Sequence, residues 1–380
     1  MSLAAEQPLV AQTVDRFLAT HGRSPGAERP DAAAEGWSRA AWQEMAALGW
    51  LGICLPESAG GLGCAIEERL AVMEAVGRGL VREPYLGTAV LCAELLQAAA
   101  GAQAQAARLL PEIAAGRLVL AFAVTEPDSG YEPAATACSA QRDGDGWVLQ
   151  GRKLAVLDAP IADRLLVLAR SAGQAGDETG LSLFLVDPHA AGVTLRAWPT
   201  VDGRRCADIA FDRLALPADA LVGAAGQAFD AVQYALDHAR VASCAEAVGA
   251  MQALIATTIA YLKERRQFGQ PLARFQVLRH RVADMHIACE QARSLTALAA
   301  GTLLPDHPRR GALAAAAKTQ AAWSARFVGQ QAVQLHGGMG VTDELQVGHW
   351  FKRLLATEVL FGNADHQLQR FARLSQPAND

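Results

Sequence analysis

Two stretches in the C-terminal third of the chain carry residue types suited to a phosphate-bearing ligand. The first, YLKERRQFGQPLARFQ (261–276), contains Arg265, and the planar, permanently charged arginine side chain can bind two phosphate oxygens at once. The second, VQLHGGMGVTDE (333–344), contains two adjacent glycines, which let a main chain come close to a ligand. Each stretch also has a plainer interpretation: a surface arginine paired with Glu264, and an ordinary helix end followed by a turn.

Motifs for several other chemistries are absent from the sequence. None of the nine histidines belongs to an HExxH motif, and no two histidines lie four residues apart as metal ligands do on a helix. There is no Ser-His-Asp arrangement and no GxSxG motif. The glycine-rich stretch near the N-terminus, SAGGLG (58–63), does not follow a strand pattern. The sequence therefore predicts no metal centre and no dinucleotide-binding fingerprint of the βαβ type.

The composition predicts a globular protein of ordinary charge. The chain has 380 residues, 51% of them hydrophobic, which is enough for two or three cores. The net charge of -5 gives no basic surplus for nucleic acid. No apolar run approaches the roughly 20 residues of a membrane span, and the N-terminus lacks the layout of a signal peptide. The seven cysteines are widely spaced without a CxxC motif, which favours a reduced, cytoplasmic protein with small buried thiols.

The elements that would position these residues follow from the apolar pattern. Helical spacing is found in residues 1–117 and returns near Ala228, whereas short apolar runs separated by glycine-rich turns lie between them. The expected strands are 118–124, 147–150, 164–170, 181–186, 193–198 and 207–211, and the expected late helices include 275–302, 312–336 and 344–374. This pattern predicts an α+β protein: an N-terminal α-helical domain (1–117), a small antiparallel β-barrel or sandwich domain (118–227) and a C-terminal four-helix bundle (228–380).

Five stretches resemble, in order and spacing, motifs of the acyl-CoA dehydrogenase family of flavoproteins. Together they extend over nearly the whole chain, which makes the resemblance far more specific than any single motif. They are LGWLGICLPESAGGLG (48–63), AVTEP (123–127), DIAFDRLALPADALVG (208–223), YLKERRQFGQPLARFQ (261–276) and VQLHGGMGVTDE (333–344).

The resemblance implies a cofactor, a reaction and partners. The family binds FAD and desaturates an acyl-CoA thioester between the α- and β-carbons. A glutamate removes the α-proton while the β-hydrogen leaves as hydride to the flavin. The resemblance further implies a homo- or hetero-oligomer, with a dimer of dimers expected, and an electron-transfer flavoprotein as electron acceptor.

The resemblance also assigns site residues on both sides of the cofactor. Thr125 matches a contact with the flavin edge, although a threonine that merely ends a strand is the alternative, and Gly130 matches the phosphate loop that follows. A second group matches residues that the family contributes to the FAD of a neighbouring subunit. This group comprises Arg265, Gln267, Phe268, Gln334, Gly337 and Gly338.

Several positions on the chain's own flavin side depart from the family pattern. Tyr131 and Glu132 stand where the family has a phosphate-binding serine and an aspartate. Ala155 and Leu157 stand where it has an aromatic residue and a hydroxyl residue against the flavin ring. A bulky phenol and an added acid are poor neighbours for an anionic diphosphate, and leucine cannot form a hydrogen bond with the ring.

The family's catalytic glutamate has no counterpart at either of its known positions. In the last helix the matching residue is Phe361, or Asn363 if the alignment shifts, and on the first bundle helix it is Ala239, before Arg240. None of these side chains can act as a base. The nearest carboxylates by sequence are Asp237, Glu358 and Asp365, and each is expected to be a solvated acid on a helix surface.

The residues assigned to a neighbour's FAD match the family, whereas those assigned to the chain's own flavin and to the base do not. Three hypotheses fit this difference. In the first, the chain is a partly or wholly non-catalytic subunit of an α2β2 assembly and completes the FAD site of a catalytic partner. In the second, it is a homo-oligomeric dehydrogenase with an unusual base. In the third, it is a relative that uses the fold for oxygen chemistry or only for binding a CoA thioester.

Overall fold

The computed structural model of the chain describes residues 8–22, 36–342 and 345–376. The chain forms two compact units. The first unit comprises Met1–Ala33, Ala65–Arg82 and Arg240–Asp380, and the second comprises Ala34–Cys64 and Glu83–Ala239. The predicted fold class, with helices before and after a β-domain, is confirmed. The predicted domain boundaries at 117 and 227 stay a prediction.

The regular elements follow in chain order. They are α1 (Pro8–His21), α2 (Arg39–Ala47), α3 (Ile66–Arg78), a π-helix (Tyr85–Cys92), α4 (Ala93–Ala98), α5 (Gln103–Ala114), β1 (Leu120–Ala123), β2 (Ser139–Asp143), β3 (Gly146–Leu157), β4 (Arg164–Arg170), β5 (Leu181–Val186), β6 (Val193–Pro199), β7 (Arg205–Leu216), β8 (Leu221–Val222), α6 (Phe229–Glu264), β9 (Arg266–Gln267), β10 (Gln270–Pro271), α7 (Gln276–Ala300), α8 (Arg310–His336), α9 (Val347–Val359) and α10 (Ala364–Ser375).

The second unit is built on one sheet, which contains eight strands within the described residues. The strand order is β6-β7-β3-β2-β4-β5-β8, and β1 pairs with β4. Most pairs are antiparallel, as predicted, but β1 and β2 each pair with β4 in parallel. Strands β4 and β5 are buried along nearly their whole length, which explains why their apolar runs were recognisable in the sequence.

Strands β2 and β3 differ from the sequence-based expectation for reasons of burial. The predicted strands did not include β2 (SAQRD), because only Ala140 of its residues is buried and its polar side chains resemble a loop. Strand β3 extends well beyond the expected 147–150 because its burial alternates along Gly146–Leu157. A register shift against β7 between Lys153 and Val156 marks an irregularity within β3, where Ala155 has a positive φ of 50°.

Helices α3 and α6 of the first unit are in main-chain contact through two glycines. A Cβ added to Gly77 would lie 1.8 Å from the main-chain oxygen of Glu246. A Cβ added to Gly249 would lie 1.8 Å from the main-chain oxygen of Glu74. Because no side chain fits in such a gap, Gly77 of α3 and Gly249 of α6 together determine how closely these helices approach.

The last predicted helix, 344–374, is interrupted, and this is a correction to the sequence analysis. Helix α9 ends at Val359 and α10 begins at Ala364. Between them Phe361 has φ 60° and Gly362 has φ 111°, conformations that cannot continue a right-handed helix. Asn363 is the N-cap of α10, and its side chain accepts a hydrogen bond from the His366 amide at 3.0 Å.

Two further expectations concern hydropathy and thiols. Within the described residues, one helix, α6, is long and apolar enough to cross a membrane, and 61% of the window that qualifies is buried in the protein, as in a core helix. All seven cysteines lie in the described ranges and are free thiols. Five are buried, as predicted, whereas Cys54 and Cys64 are half-exposed.

Candidate cofactor and substrate site

The hairpin after α6 exposes the predicted phosphate-binding arginine. Arg265 is exposed directly after the helix, and Phe268 and Gly269 form the two-residue turn between β9 and β10. Both turn residues have positive φ, 51° and 76°, as a type I′ turn requires. Phe268 is 89% exposed and meets Phe275 edge-on at 6.0 Å. A strained aromatic residue exposed at a hairpin tip is not part of the core of this chain.

The turn after α8 exposes the second group of predicted residues. Gln334, Gly337 and Gly338 are all exposed. The Gly337 amide donates a hydrogen bond to the Gln334 oxygen, so the turn is also a helix C-cap. Gly337 has φ 60° and ψ -139°, a combination open essentially to glycine alone. A Cβ at either glycine would meet no atom within 4 Å, so the main chain is open to an approaching ligand.

Contacts between Tyr261 and His336 bring these two groups to one end of the first unit. The two rings stack at 4.4 Å with an interplanar angle of 26°, and the Tyr261 hydroxyl donates to the His336 oxygen at 3.3 Å. Burial lowers the pKa of His336, which favours the neutral ring against Tyr261. Because Arg265 follows Tyr261 by one helical turn and Gly337 follows His336 directly, the arginine and the open glycines belong to neighbouring helix ends.

The predicted flavin contacts of the β-domain lie just beyond β1. Thr125 is half-buried, and its main-chain oxygen accepts a hydrogen bond from the Leu154 amide at 2.8 Å. Gly130 is exposed in the following turn with φ 54°, and a Cβ there would meet no atom within 4 Å. Tyr131, next in the chain, is half-buried.

A buried ion pair that the sequence analysis missed holds the Thr125 segment in place. Lys153 Nζ lies 2.6 Å from Glu126 Oε1 and 3.1 Å from the Val124 oxygen. The Glu126 carboxylate also accepts hydrogen bonds from the amides of Ala137 and Cys138. Burial lowers the pKa of Lys153, and Glu126 opposes that change. A motif reading TEP followed by a lysine near residue 153 was the available signal, but only the fold brings the two together.

The departure at Ala155 is accompanied by an aromatic residue from another strand. Ala155 is exposed, and its amide donates to Asp208 Oδ1 at 3.1 Å. The same oxygen accepts a hydrogen bond from Trp198 Nε1 at 3.3 Å. The indole on β6 therefore lies beside the alanine that stands where the family has its own aromatic residue. Leu157, the other departure on β3, is half-buried.

A hydrogen bond joins Phe361, at one of the family's base positions, to Arg240, which follows the other position, Ala239. Arg240 Nε donates to the main-chain oxygen of Phe361 at 3.2 Å, and Gln367 Nε2 donates to the same oxygen at 2.7 Å. Ala239 precedes Arg240 in the chain. Asn363, the shifted alternative, uses its side chain as a helix cap. Alanine, phenylalanine and a capping asparagine offer no carboxylate here.

Two of the three nearby carboxylates are not solvated, contrary to the expectation from sequence. Glu358 is 5% exposed and Asp237 is 1% exposed, whereas Asp365 is exposed as predicted. Glu358 forms an ion pair with Arg326 of α8. The expectation was wrong because a helix surface covered by other helices leaves its acids buried, and buried acids require partners.

A buried lysine supports the turn before Phe361. Lys318 Nζ donates to the main-chain oxygens of Thr357 and Glu358 in the last turn of α9. Burial lowers the pKa of Lys318 to about 8. Its position in an alanine-rich helix gave no sign in the sequence that it would cap another helix.

The chain thus has helical parts before and after a β-domain. At the ends of α6 and α8 it exposes the Arg265 cation and the open main chain of Gly337 and Gly338. Models of the N-terminal, middle and C-terminal domains of acyl-CoA dehydrogenases match residues 4–117, 121–214 and 226–375, and the chain belongs to this family.

Individual relatives agree with this assignment. The chain is 35% identical over 316 residues to the acyl-CoA dehydrogenase FadE12 of Mycobacterium tuberculosis, with 80% of each chain covered. It is 31% identical over 377 residues to the probable acyl-CoA dehydrogenase YngJ of Bacillus subtilis, with 98% of each covered. The solved ChsE4–ChsE5 complex from Mycobacterium tuberculosis matches with a TM-score of 0.85 at 26% identity, over 100% of this chain and 99% of that one.

Family members are FAD flavoproteins, and the residues of this chain fit that cofactor in part. Exposed Arg265 and the open main chain at Gly337 fit its phosphates. The exposed, positive-φ Gly130 also fits a close approach to phosphate. Ala155 and Leu157 do not supply the aromatic wall and the hydroxyl that the resemblance implies, and Tyr131 stands in place of the phosphate-binding serine. The fit is therefore better at the residues that the resemblance assigns to a neighbour's FAD than at those it assigns to the chain's own FAD.

Proposed function

We propose that this acyl-CoA dehydrogenase family oxidoreductase works as one subunit of a mixed oligomer, in which it completes the FAD site of a catalytic partner. On its own side it lacks the usual catalytic glutamate. The overall reaction is the FAD-dependent α,β-desaturation of an acyl-CoA thioester. The assignments of Thr125, Gly130, Arg265 and the other site residues belong to this proposal.

The observation that carries the proposal is the pair of empty base positions at the Arg240–Phe361 contact. The α-hydrogen of a thioester is a weak acid, so its removal needs a carboxylate or a similar base placed near it. Phe361 cannot take a proton, and its main-chain oxygen already accepts two hydrogen bonds. Restoring a base would require a different side chain at this turn.

The second support is the exposure of the hairpin and of the glycine turn. Arg265, Gln267 and Phe268 extend from the end of α6. A long-lived exposed Phe268 is unfavourable in water unless another chain covers it. In the proposed assembly Arg265 donates hydrogen bonds to the partner's FAD diphosphate, and the Gly337 main chain allows close approach. Bound FAD supplies the hydride acceptor, and an electron-transfer flavoprotein is the proposed final acceptor.

The likeness to the ChsE4–ChsE5 complex supports a mixed assembly, since that structure contains two different chains. A dimer of dimers remains the proposed arrangement.

A homo-oligomeric dehydrogenase with an unusual base is the second candidate, and one observation favours it. Asp237 is a buried carboxylate only two residues before Ala239. It is therefore one of the carboxylates nearest in sequence to a family base position, and a carboxylate is the group that removes the α-proton in the family. An Asp237→Asn variant with full activity would remove this candidate.

The deciding experiment is to purify the chain alone and together with a co-expressed partner of the same family. FAD per chain is measured by absorbance, and desaturation of several acyl-CoA lengths is followed with a dye acceptor. We expect loose or substoichiometric FAD and little turnover for the chain alone, and tight FAD with the partner. A yellow homo-oligomer with one FAD per chain and ordinary turnover would contradict the proposal.

A further inference from the structure

A concave site on the second unit is lined by basic side chains and has no part in the chemistry described so far. It has a volume of about 540 Å³, within the range of small-molecule sites. Three arginines, Arg39, Arg164 and Arg205, and two aspartates, Asp163 and Asp187, line it. His189 adds a further nitrogen donor. On a chain with a net charge of -5, this is a local excess of cations.

The aspartates of the site are engaged within the protein. Asp163 Oδ2 accepts a hydrogen bond from the Val119 amide at 2.8 Å. Asp187 Oδ1 accepts one from the His189 amide at 2.9 Å, and its other oxygen lies 3.5 Å from Arg164. Three arginines against two aspartates still give the lining a net positive charge, which favours an anionic ligand.

Two of the arginines are held by the shape of the segment before α2. The Arg39 guanidinium lies 5.0 Å from the centre of the Trp37 ring, which is itself buried. Gly36 has φ 73°, and a Cβ there would lie 2.7 Å from Arg205 Nε. A glycine at this point lets the Arg205 side chain pass against the main chain, so the two guanidinium groups are preorganised.

The site is separate from the predicted flavin contact at Thr125. Strands β1 and β4 run parallel, with Leu120 opposite Arg164 and Ala123 opposite Val167. Arg164 lies at the start of this pair and Thr125 lies beyond its end, so roughly 15 Å of strand separate them.

We infer that this site binds a phosphate-bearing small molecule of nucleotide size. Several preorganised guanidinium groups around one cavity suit an ion with two or more phosphate oxygens, and the cavity volume leaves room for an attached base and sugar. The inference does not depend on the proposed subunit role.

Calorimetric titration of the intact chain with ADP, pyrophosphate and adenosine tests the inference. We expect ADP and pyrophosphate to bind and neutral adenosine not to bind. Arg39→Gln and Arg164→Gln should each weaken ADP binding about tenfold, the scale of one charge-assisted hydrogen bond. Asp187→Asn should tighten it, because the variant keeps the hydrogen-bonding oxygen and removes a negative charge.

A matched control variant makes the outcome decisive. Arg142 lies 4.1 Å from the Trp147 ring outside the site, so Arg142→Gln matches Arg39→Gln in chemistry and should leave binding unchanged. The inference is overturned if ADP does not bind, if adenosine binds as well, or if Arg39→Gln and Arg164→Gln bind ADP as tightly as the wild type. Circular dichroism establishes that each variant is folded.

Discussion

Arg240 donates a hydrogen bond from Nε to the main-chain oxygen of Phe361 over 3.2 Å, although the two residues are 121 positions apart. This bond connects the two segments in which acyl-CoA dehydrogenases are expected to carry their base. In this chain the contact is structural: it supports a left-handed phenylalanine, not a carboxylate.

The first prediction concerns the stability of this contact. Arg240→Met should lower the free energy of unfolding by about 1–3 kcal/mol, because a buried hydrogen bond from a charged group is lost while Gln367 retains its own. Urea denaturation measures the change. The control is Arg152→Met at an exposed site of β3, where a change within about 0.5 kcal/mol is expected. Equal effects of the two variants would contradict a specific role of Arg240.

The second prediction concerns Arg265 as a phosphate ligand. In the assembled complex, Arg265→Ala should weaken FAD binding by about 1.5–3 kcal/mol, the contribution of a charge-assisted hydrogen bond. The oligomer should persist in size-exclusion chromatography. Arg266→Ala is the matched control, because this neighbouring exposed arginine instead donates to the Gly269 oxygen at 3.3 Å. Unchanged FAD retention in Arg265→Ala would reject the role.

The third prediction concerns Lys318 and alkaline pH. Its pKa in the folded protein is lowered from 10.5 to about 8 by burial, so between these values the unfolded chain binds more protons and stability rises with pH. Between pH 8 and pH 10.5 the free energy of unfolding of the wild type should increase by about 3 kcal/mol relative to that of Lys318→Met. Chemical denaturation of both proteins across that range measures it. Parallel pH curves for the two proteins would show that the lysine is not buried as described.

The fourth prediction concerns Glu74, whose behaviour is opposite in sign. Burial raises its pKa from 4.5 to about 7, although Arg293 and Arg78 oppose the change. Protonated Glu74 stabilises the fold, so the free energy of unfolding of the wild type is highest below pH 4.5 and falls as the pH rises to 7. Glu74→Gln keeps a neutral side chain, so its stability relative to wild type should increase by about 3 kcal/mol over that window. Equilibrium unfolding at pH 4.5 and 7 tests this, and no difference would contradict it.

The fifth prediction concerns the contact between α3 and α6. Gly249→Ala should destabilise the protein by several kcal/mol or prevent folding, because the new Cβ would meet the Glu74 main-chain oxygen at 1.8 Å. Gly301→Ala is the control, since its nearest contact would be an ordinary 3.7 Å. Thermal unfolding compares the two variants. A Gly249→Ala protein as stable as the control would mean that the helices are farther apart.

The sequence by itself determined the features that depend on local pattern. Continuous apolar runs predicted β4 and β5 to the residue, because a strand that is buried on both faces carries apolar side chains at nearly every position. Helical spacing predicted the long helices, and five motifs together were enough to indicate the family. Local residue types also identified Arg265 and the glycines after α8 as groups suited to phosphate.

Only the tertiary structure decided which charged residues are buried and which helices break. Glu358 and Asp237 had the spacing of surface acids, yet they are buried because other helices cover them. The left-handed Phe361 is held by Arg240 and Gln367 from other helices, so tertiary contacts, and not only the local Gly362 and Asn363, hold the break after α9. The basic site around Arg39, Arg164 and Arg205 likewise combines three distant segments. Such features depend on contacts between residues far apart in the chain, and local propensity carries no information about those contacts.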